Sequence, residues 1–144
     1  REGEELRLLL GAQIDALETL SDEVRSLVQL ESVRVKNKLL KQVSEISELI
    51  APFTEERLAQ EVAMLMTKSD ISEEFDRIVL HNSEARKLLE MGGAVGRQLD
   101  FLCQELNREA NTLCAKSSDI ALTKLGLNMR SIIDQIREQV QNVE

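Results

Sequence analysis

The segment "MGGAVGRQLDFLCQELNREANTLCAKSSD", residues 91–119, combines a group of glycines with a long helical pattern. Its glycines are concentrated in "MGGAVG", residues 91–96, which follows a helical pattern. Glycine at this place predicts a turn between two helices, with a glycine cap at the C-terminal end of the first helix. A phosphate-binding loop is excluded, because such a loop follows a strand and has a different glycine spacing.

The remainder of this segment has the pattern of one amphipathic helix. The apolar positions that share one face are Leu99, Leu102, Cys103 and Leu106. Acidic, basic and amide side chains crowd the other faces. The helix therefore has an apolar face for packing and a mixed polar face, which is typical either of an ion-pair network or of a binding site.

The composition of the whole chain indicates helices throughout. Of its 144 residues, 42% are hydrophobic and 31% are charged, as in one ordinary soluble domain. Aromatic residues make up only 2%, and there is a single Pro, so aliphatic side chains must build the core. We therefore expect one all-α domain over residues 1–144, a helical bundle of long amphipathic helices with an antiparallel hairpin around residues 92–96.

Apolar periodicity divides the chain into helices. The expected spans are residues 4–29, 33–49 (ending at Pro52), 54–91, a helix that starts at Gly96, and 118–143. Asp70 with Glu73 fits a capping box, so the third span either continues through this point or starts again there. The last helix has apolar residues at steps of three and four, close to a heptad seam, which requires a partner helix in the same chain or in another subunit.

Polar residues gather on one face of the helix before the glycine turn. They are Asp70, Glu74, Arg77, His81 and Glu84. In an antiparallel hairpin centred near Gly93, residues equidistant from the turn become neighbours. The expected neighbours are His81 with Glu105 and Arg108, and Asp70 and Glu74 with Asn111 and Lys116.

Two interpretations of this polar face stay open at this point. The first is a solvated face laced with ion pairs. The second is a site, because His81 is the only His and has carboxylates on both helices. Carboxylates with an imidazole suit Mg²⁺ or Mn²⁺, and neighbouring arginines suit phosphate.

Charge and cysteine content limit the remaining possibilities. A net charge of -8 argues against broad nucleic-acid binding and against DNA as a partner, although Arg34 to Lys41 form a local basic run around Lys38. No apolar run is long enough to span a membrane and no signal peptide is visible, so we expect a cytoplasmic protein. Cys103 and Cys114 are too far apart along a helix for a disulfide and suit a core.

Several strings resemble the C-terminal region of the bacterial YicC/YloC family. They are "LDFLCQELNREANTLCAKS" (99–117), "REGEEL" (1–6), "ERLAQEVAMLMTKSDISEEFDR" (56–77), "HNSE" (81–84) and "IREQVQNVE" (136–144). The resemblance implies a divalent-metal-dependent endoribonuclease that cuts single-stranded regions of RNA. It also implies a preceding N-terminal domain and a ring-like homo-oligomer, expected to be a hexamer.

The polar signature of that family can be carried over residue by residue. It falls on Glu61, Asp70, Glu73, Glu74, Arg77, His81, Glu84, Arg97, Asp100, Glu105, Asn107, Arg108, Glu109, Asn111 and Lys116. The hairpin register selects His81, Glu105 and Glu109 as a cluster within it. Catalysis is then expected from His81, Glu105, Glu109 and Arg108.

The supporting roles follow from the same signature. Metal ligands are expected among Glu105, Glu109, His81, Glu74 and Asp70, oriented by Asn107 and Asn111. RNA contacts are expected from Arg77, Arg97, Arg108, Lys116 and Lys38. The alternative is a helical oligomerisation module, in which these residues form a buried network and RNA cleavage depends on the missing N-terminal domain.

Overall fold

The computed structural model describes residues 2–49 and 55–143, and within these ranges it contains helices and no strand. The elements are α1 (Glu2–Leu49), α2 (Glu55–Ser69), α3 (Ser72–Met91), α4 (Gly96–Lys116) and α5 (Ile120–Val143). The predicted all-α class is confirmed. No helix in the described ranges is both long and apolar enough to cross a membrane.

The first two predicted helices are one continuous helix, so their separation was wrong. α1 runs through 48 residues, because no glycine or proline interrupts the sequence between Gln29 and Val33. The apolar pattern changes there because the packing partner changes. The N-terminal part of α1 packs on α3 and α5, whereas its C-terminal part packs on α2. The predicted end at Pro52 lies outside the described residues.

The third predicted helix does start again where Asp70 indicated. α2 ends at Ser69 and α3 begins at Ser72, whose backbone N–H donates to Asp70 Oδ1 at 2.9 Å. The capping role predicted for Glu73 was wrong. Glu73 pairs with Arg77 at 3.1 Å, and the N-cap residue of α3 is Ile71. Asp70 therefore stabilises the start of α3 through a local turn.

The glycine turn has the predicted form. Gly92 and Gly93 have φ of 71° and 77°, in the left-handed region that side-chain-bearing residues avoid. The N–H of Gly92 donates to the carbonyl of Leu88 at 3.3 Å and closes the end of α3. α3 and α4 then run antiparallel and pack against each other along their length.

The core lies between α1, α3, α4 and α5. Its largest fully buried side chains are Ile14, Leu17, Ile71, Ile78, Leu106, Leu113, Leu122, Met129, Ile133 and Val24. The heptad seam of α5 is covered by α4 and α1 of the same chain, which settles the alternative left open by periodicity. The seam therefore gives no support to an interface between subunits.

Candidate functional site

The register of the α3–α4 hairpin is fixed by an ion pair. Arg77 Nε donates to Glu109 Oε1 at 2.8 Å, and both residues lie sixteen positions from Gly93. The register predicted from the turn is therefore confirmed. A second ion pair lies at the end of the hairpin away from the glycine turn, where Lys116 Nζ donates to Glu74 Oε1 at 2.6 Å.

Two of the predicted site carboxylates are buried and neutralised by these cations. Glu74 is 3% exposed and Glu109 is 7% exposed. Arg77 reaches both of them, with Nη2 at 3.7 Å from Glu74 Oε1. A buried carboxylate without a partner would be costly, so the cations stabilise the hairpin. The hydrogen bond to Glu109 raises the pKa of the Arg77 guanidinium above its ordinary value.

The predicted metal ligands do not converge. In the ranges 2–49 and 55–143, no group of three or more His, Cys, Asp or Glu side chains is placed to hold a metal ion. Glu109 and Glu74 bind Arg77 and Lys116, whose charges would repel a divalent cation. The described residues thus do not fit a preformed metal centre, and metal binding stays a prediction.

Asp70 is also occupied by local contacts. Its Oδ1 accepts from Ser72 N and, at 3.4 Å, from Ser32 Oγ on α1. Partial burial opposes ionisation, but these hydrogen bonds and the charge of Lys116 outweigh it and lower the pKa of Asp70. The carboxylate therefore joins the start of α3 to α1 rather than contributing to a cluster with His81.

His81 lies on α3 and is partly buried. Its side chain is 16% exposed, and Nδ1 lies 3.4 Å from Glu84 Oε2 one turn along α3. The register places Glu105 level with it on α4, half-buried, with no hydrogen bond between the two side chains in the described structure. Imidazole can act as a general acid or base near neutral pH.

Of the two predicted orienting amides, Asn107 is bound to a residue outside the candidate site. Asn107 Nδ2 donates to Asp134 Oδ1 at 2.9 Å. This hydrogen bond joins α4 to α5, and the amide therefore does not orient Glu105 or Glu109. Asn111 is exposed on α4. The polar signature therefore includes residues that hold the helices together.

The predicted RNA-binding cations fall into two groups. Arg77 and Lys116 are committed to buried carboxylates. Arg97, Arg108 and Lys38 are exposed and have no ion-pair partner among the described residues. Within the basic run of α1, Arg34 is paired with Asp119 at 3.2 Å. Only the second group is free to contact phosphate.

Sequence reasoning missed two anchoring acids. Glu31, 3% exposed, accepts from Ser118 N at 2.6 Å, Ser118 Oγ at 2.9 Å and Ser117 Oγ at 3.3 Å, and so fixes the α4–α5 connection to α1. It lay in the gap between two predicted helices, and no local pattern marked it. Asp100 belonged to the signature, but its partner Arg137, at 2.9 Å, lies on a different helix and was not foreseen.

The cysteines behave as core residues. Cys103 and Cys114 are both free thiols. Burial, followed by the charge of Asp100, raises the pKa of the Cys103 thiol to about 12. Burial also raises the pKa of Cys114. Neither thiol has the lowered pKa that a nucleophile needs.

In the described residues, fold and contacts define an all-α domain centred on an ion-paired antiparallel hairpin, with exposed cations and one partly buried imidazole. The chain belongs to the endoribonuclease YicC-like family: the family model described as "Endoribonuclease YicC-like, C-terminal" matches residues 24–144. The resemblance seen in the sequence is therefore confirmed.

Individual relatives agree with this family. The chain is 38% identical over 144 residues to a protein of Haemophilus influenzae and 36% identical over 143 residues to one of Clostridioides difficile, each described as a probable endoribonuclease YicC. The matches cover 100% and 99% of this chain. They cover 49% of each relative, so the chain spans about half the length of the curated relatives it matches.

Proposed function

We propose that this chain is the C-terminal domain of an endoribonuclease that cuts single-stranded regions of RNA. The observation that carries the proposal is the match along the whole chain to relatives described as probable endoribonucleases. The domain's contribution is an RNA-contacting face on the α3–α4 hairpin. It is expected to act in the cytoplasm on RNA, with no DNA substrate.

The charge distribution of the hairpin supports this role. Arg77 and Lys116 neutralise the buried Glu109 and Glu74, so these carboxylates do not present unpaired negative charge to a phosphate chain. Arg97 and Arg108 on α4 stay free, and a guanidinium can bind phosphate through two parallel hydrogen bonds. The overall charge of -8 restricts RNA contact to such local patches.

His81 is the residue that we assign to proton transfer. It is the only His in the chain, and Glu84 contacts one nitrogen of its ring, which leaves the other nitrogen for a ribose hydroxyl or a leaving oxygen. An imidazole in this role supports attack by the ribose 2'-hydroxyl as well as by water. The product ends distinguish the two, since the first route leaves a 2',3'-cyclic phosphate.

A second function is favoured by the ion pairs themselves. Arg77 with Glu109 and Lys116 with Glu74 fill the space in which metal ligands would have to meet. In this alternative the domain is a helical assembly module, and cleavage depends on the other half of the protein. Dependence on Mg²⁺ or Mn²⁺ is then a property of the complete protein, with Glu105 the predicted ligand least committed to other contacts.

Homo-oligomer formation, with a hexamer as the expected size, belongs to the same proposal. The α5 seam is occupied within the chain, so the surface that supports assembly is elsewhere. α2 packs chiefly on the outer part of α1, and this pair exposes large apolar side chains, including Leu40 at 46% and Met64 at 57%. Light scattering of the complete protein at micromolar concentration tests this; a monomer would contradict it.

The test of the proposed function is cleavage of an end-labelled RNA that contains both a hairpin stem and a single-stranded loop. The complete protein and this 144-residue domain are compared with Mg²⁺, Mn²⁺ or EDTA. We expect the complete protein to cut the loop with the metal present. Activity of the isolated domain would support the first function, whereas activity of the complete protein alone would support the second. No cleavage by either would contradict both.

A further inference from the structure

An open groove of about 540 Å³ lies between α3 and α4 on the outer side of the hairpin. Phe101 lines it with 60% of its surface exposed. The other described phenylalanine, Phe75, is 5% exposed in the core. Phe101 points away from the core because the apolar face of α4 is formed by residues such as Leu99 and Leu106. Its ring therefore contributes to a surface rather than to packing.

Two unpaired cations line the same groove as this ring, nearer to the glycine turn. Arg97 lies one helical turn before Phe101 on α4, and Lys87 lines the groove from α3. Neither has a carboxylate within ion-pair distance in the described structure, unlike Arg86 and Arg137, which are paired with acids. The acid in the groove is Glu84, which contacts His81 at 3.4 Å. An accessible aromatic ring beside free cations is typical of surfaces that bind single-stranded nucleic acid.

We propose that this groove binds single-stranded RNA, with one base stacked on Phe101 and neighbouring phosphates held by Arg97 and Lys87 on the side of the glycine turn. The proposal rests on the proposed function and adds the place and the chemistry of RNA contact. It also places that contact near His81, the residue assigned to proton transfer. The register puts Phe101 level with Ala85, and His81 lies four residues from Ala85, about 6 Å along the helix axis.

The charge of the groove favours RNA over a protein partner. Lysine is rare in the buried centre of a protein interface, whereas arginine and aromatic residues are common there, so Lys87 is the residue that argues against a protein partner. Here Lys87 and Arg97 stand beside the exposed ring without acidic partners in the described ranges. A polyanion with unstacked bases satisfies both the cations and the ring, whereas an apolar helix would leave the cations buried and unpaired.

The test measures RNA binding by the complete protein with a dye-labelled single-stranded oligonucleotide and fluorescence anisotropy. Phe101→Leu removes the ring but keeps an apolar side chain, and we expect it to weaken binding by about 5- to 100-fold. Phe101→Trp keeps a stacking surface and should bind within about twofold of wild type. The matched control is Leu127→Ala on α5, which removes a residue of similar exposure, 50%, and should not change affinity.

Salt dependence separates stacking from phosphate contact. Arg97→Gln should reduce the slope of log affinity against log salt by about 0.7, whereas Phe101→Leu should lower affinity without changing the slope. Circular dichroism confirms that each variant is folded. Unchanged affinity in Phe101→Leu would overturn the proposal. If that variant instead changes the size of the assembly, the groove is a contact between protein copies.

The RNA-binding test and the cleavage test can distinguish a failure of the groove from a failure of the proposed function. If RNA binds through Phe101 but is never cut, the proposed function is refuted and the proposal that the groove binds RNA is retained. Cleavage with unchanged affinity of Phe101→Leu for RNA would refute the groove and keep the proposed function. A complete protein that binds no single-stranded RNA would refute both, and a double-stranded probe shows whether the loss is specific to unpaired bases.

Discussion

Replacement of Lys116 by Met tests whether the hairpin carboxylates depend on cations from the chain itself. Lys116 Nζ lies 2.6 Å from Glu74 Oε1, and the Glu74 side chain is 4% exposed. Loss of one partner from a buried pair costs about 3–5 kcal/mol. Lys116 is 30% exposed, and Arg77 lies 3.7 Å from the same oxygen, so both solvent and a second cation reduce this cost. We expect a loss of about 2 kcal/mol in the free energy of unfolding.

The assay is urea unfolding of the domain followed by circular dichroism. The double variant Lys116→Met with Glu74→Leu removes both charges and should recover most of the lost stability, because a buried pair can be replaced by apolar side chains at little cost. Added Mg²⁺ should leave the Lys116→Met variant unchanged. A loss below about 0.5 kcal/mol, or rescue by Mg²⁺, would refute the assignment of Glu74 to an ion pair.

Three further predictions follow from single contacts. Glu31→Ala should lower the free energy of unfolding by about 2–3 kcal/mol in urea, because three hydrogen bonds lose a buried charged acceptor, and Glu31→Gln should lower it less. Asp70→Asn should be less stable than wild type at pH 7. Because the folded-state pKa of Asp70 is lowered, the stability that its carboxylate contributes is present above about pH 4 and is lost as the pH falls below that value. The difference between the two proteins in thermal unfolding should therefore disappear in acid. Cys103 should react with a thiol reagent at pH 8 only after unfolding, and rapid labelling of the folded domain would contradict its burial.

The hairpin could be predicted from the sequence because its determinants are local. Gly92 and Gly93 are needed where φ is positive, so their position predicts the turn. Because both helices rise by the same distance per residue, the turn position also predicts that Arg77 and Glu109 are level. The restart at Asp70 was predictable for the same reason, since a carboxylate two residues before Ser72 binds its N–H.

The continuity of α1 could not be read in the same way. A change in the phase of an apolar stripe marks either the end of a helix or a change of packing partner, and the two look alike in a sequence. Glu31 shows the ambiguity, because it is an acid in the middle of a helix that proves to be buried against Ser117 and Ser118. Its partners lie more than eighty positions away, so no local pattern reveals them.

The residues of the candidate site stay a prediction, and the ion pairs that several of them form were not foreseen. The spacing of Glu74, His81 and Glu109 fits metal ligands and ion-pair partners equally well, because both need carboxylates on facing helices. Only the positions of Arg77 and Lys116 distinguish the two, and those positions depend on how the long side chains pack. Phe101 was passed over because a single aromatic residue on a polar face carries no periodic signal.

The measurement that tests the proposed function most directly is the rate at which the complete protein cuts a labelled single-stranded RNA when His81 is changed to Ala. The expected result is a fall of about 10²- to 10⁴-fold, the usual contribution of a general acid or base, with unchanged folding and assembly. The matched control is the neighbouring Leu80→Ala, 54% exposed on α3, which should cut RNA within about twofold of the wild-type rate. Cleavage by His81→Ala at the wild-type rate would contradict the assignment of proton transfer to His81.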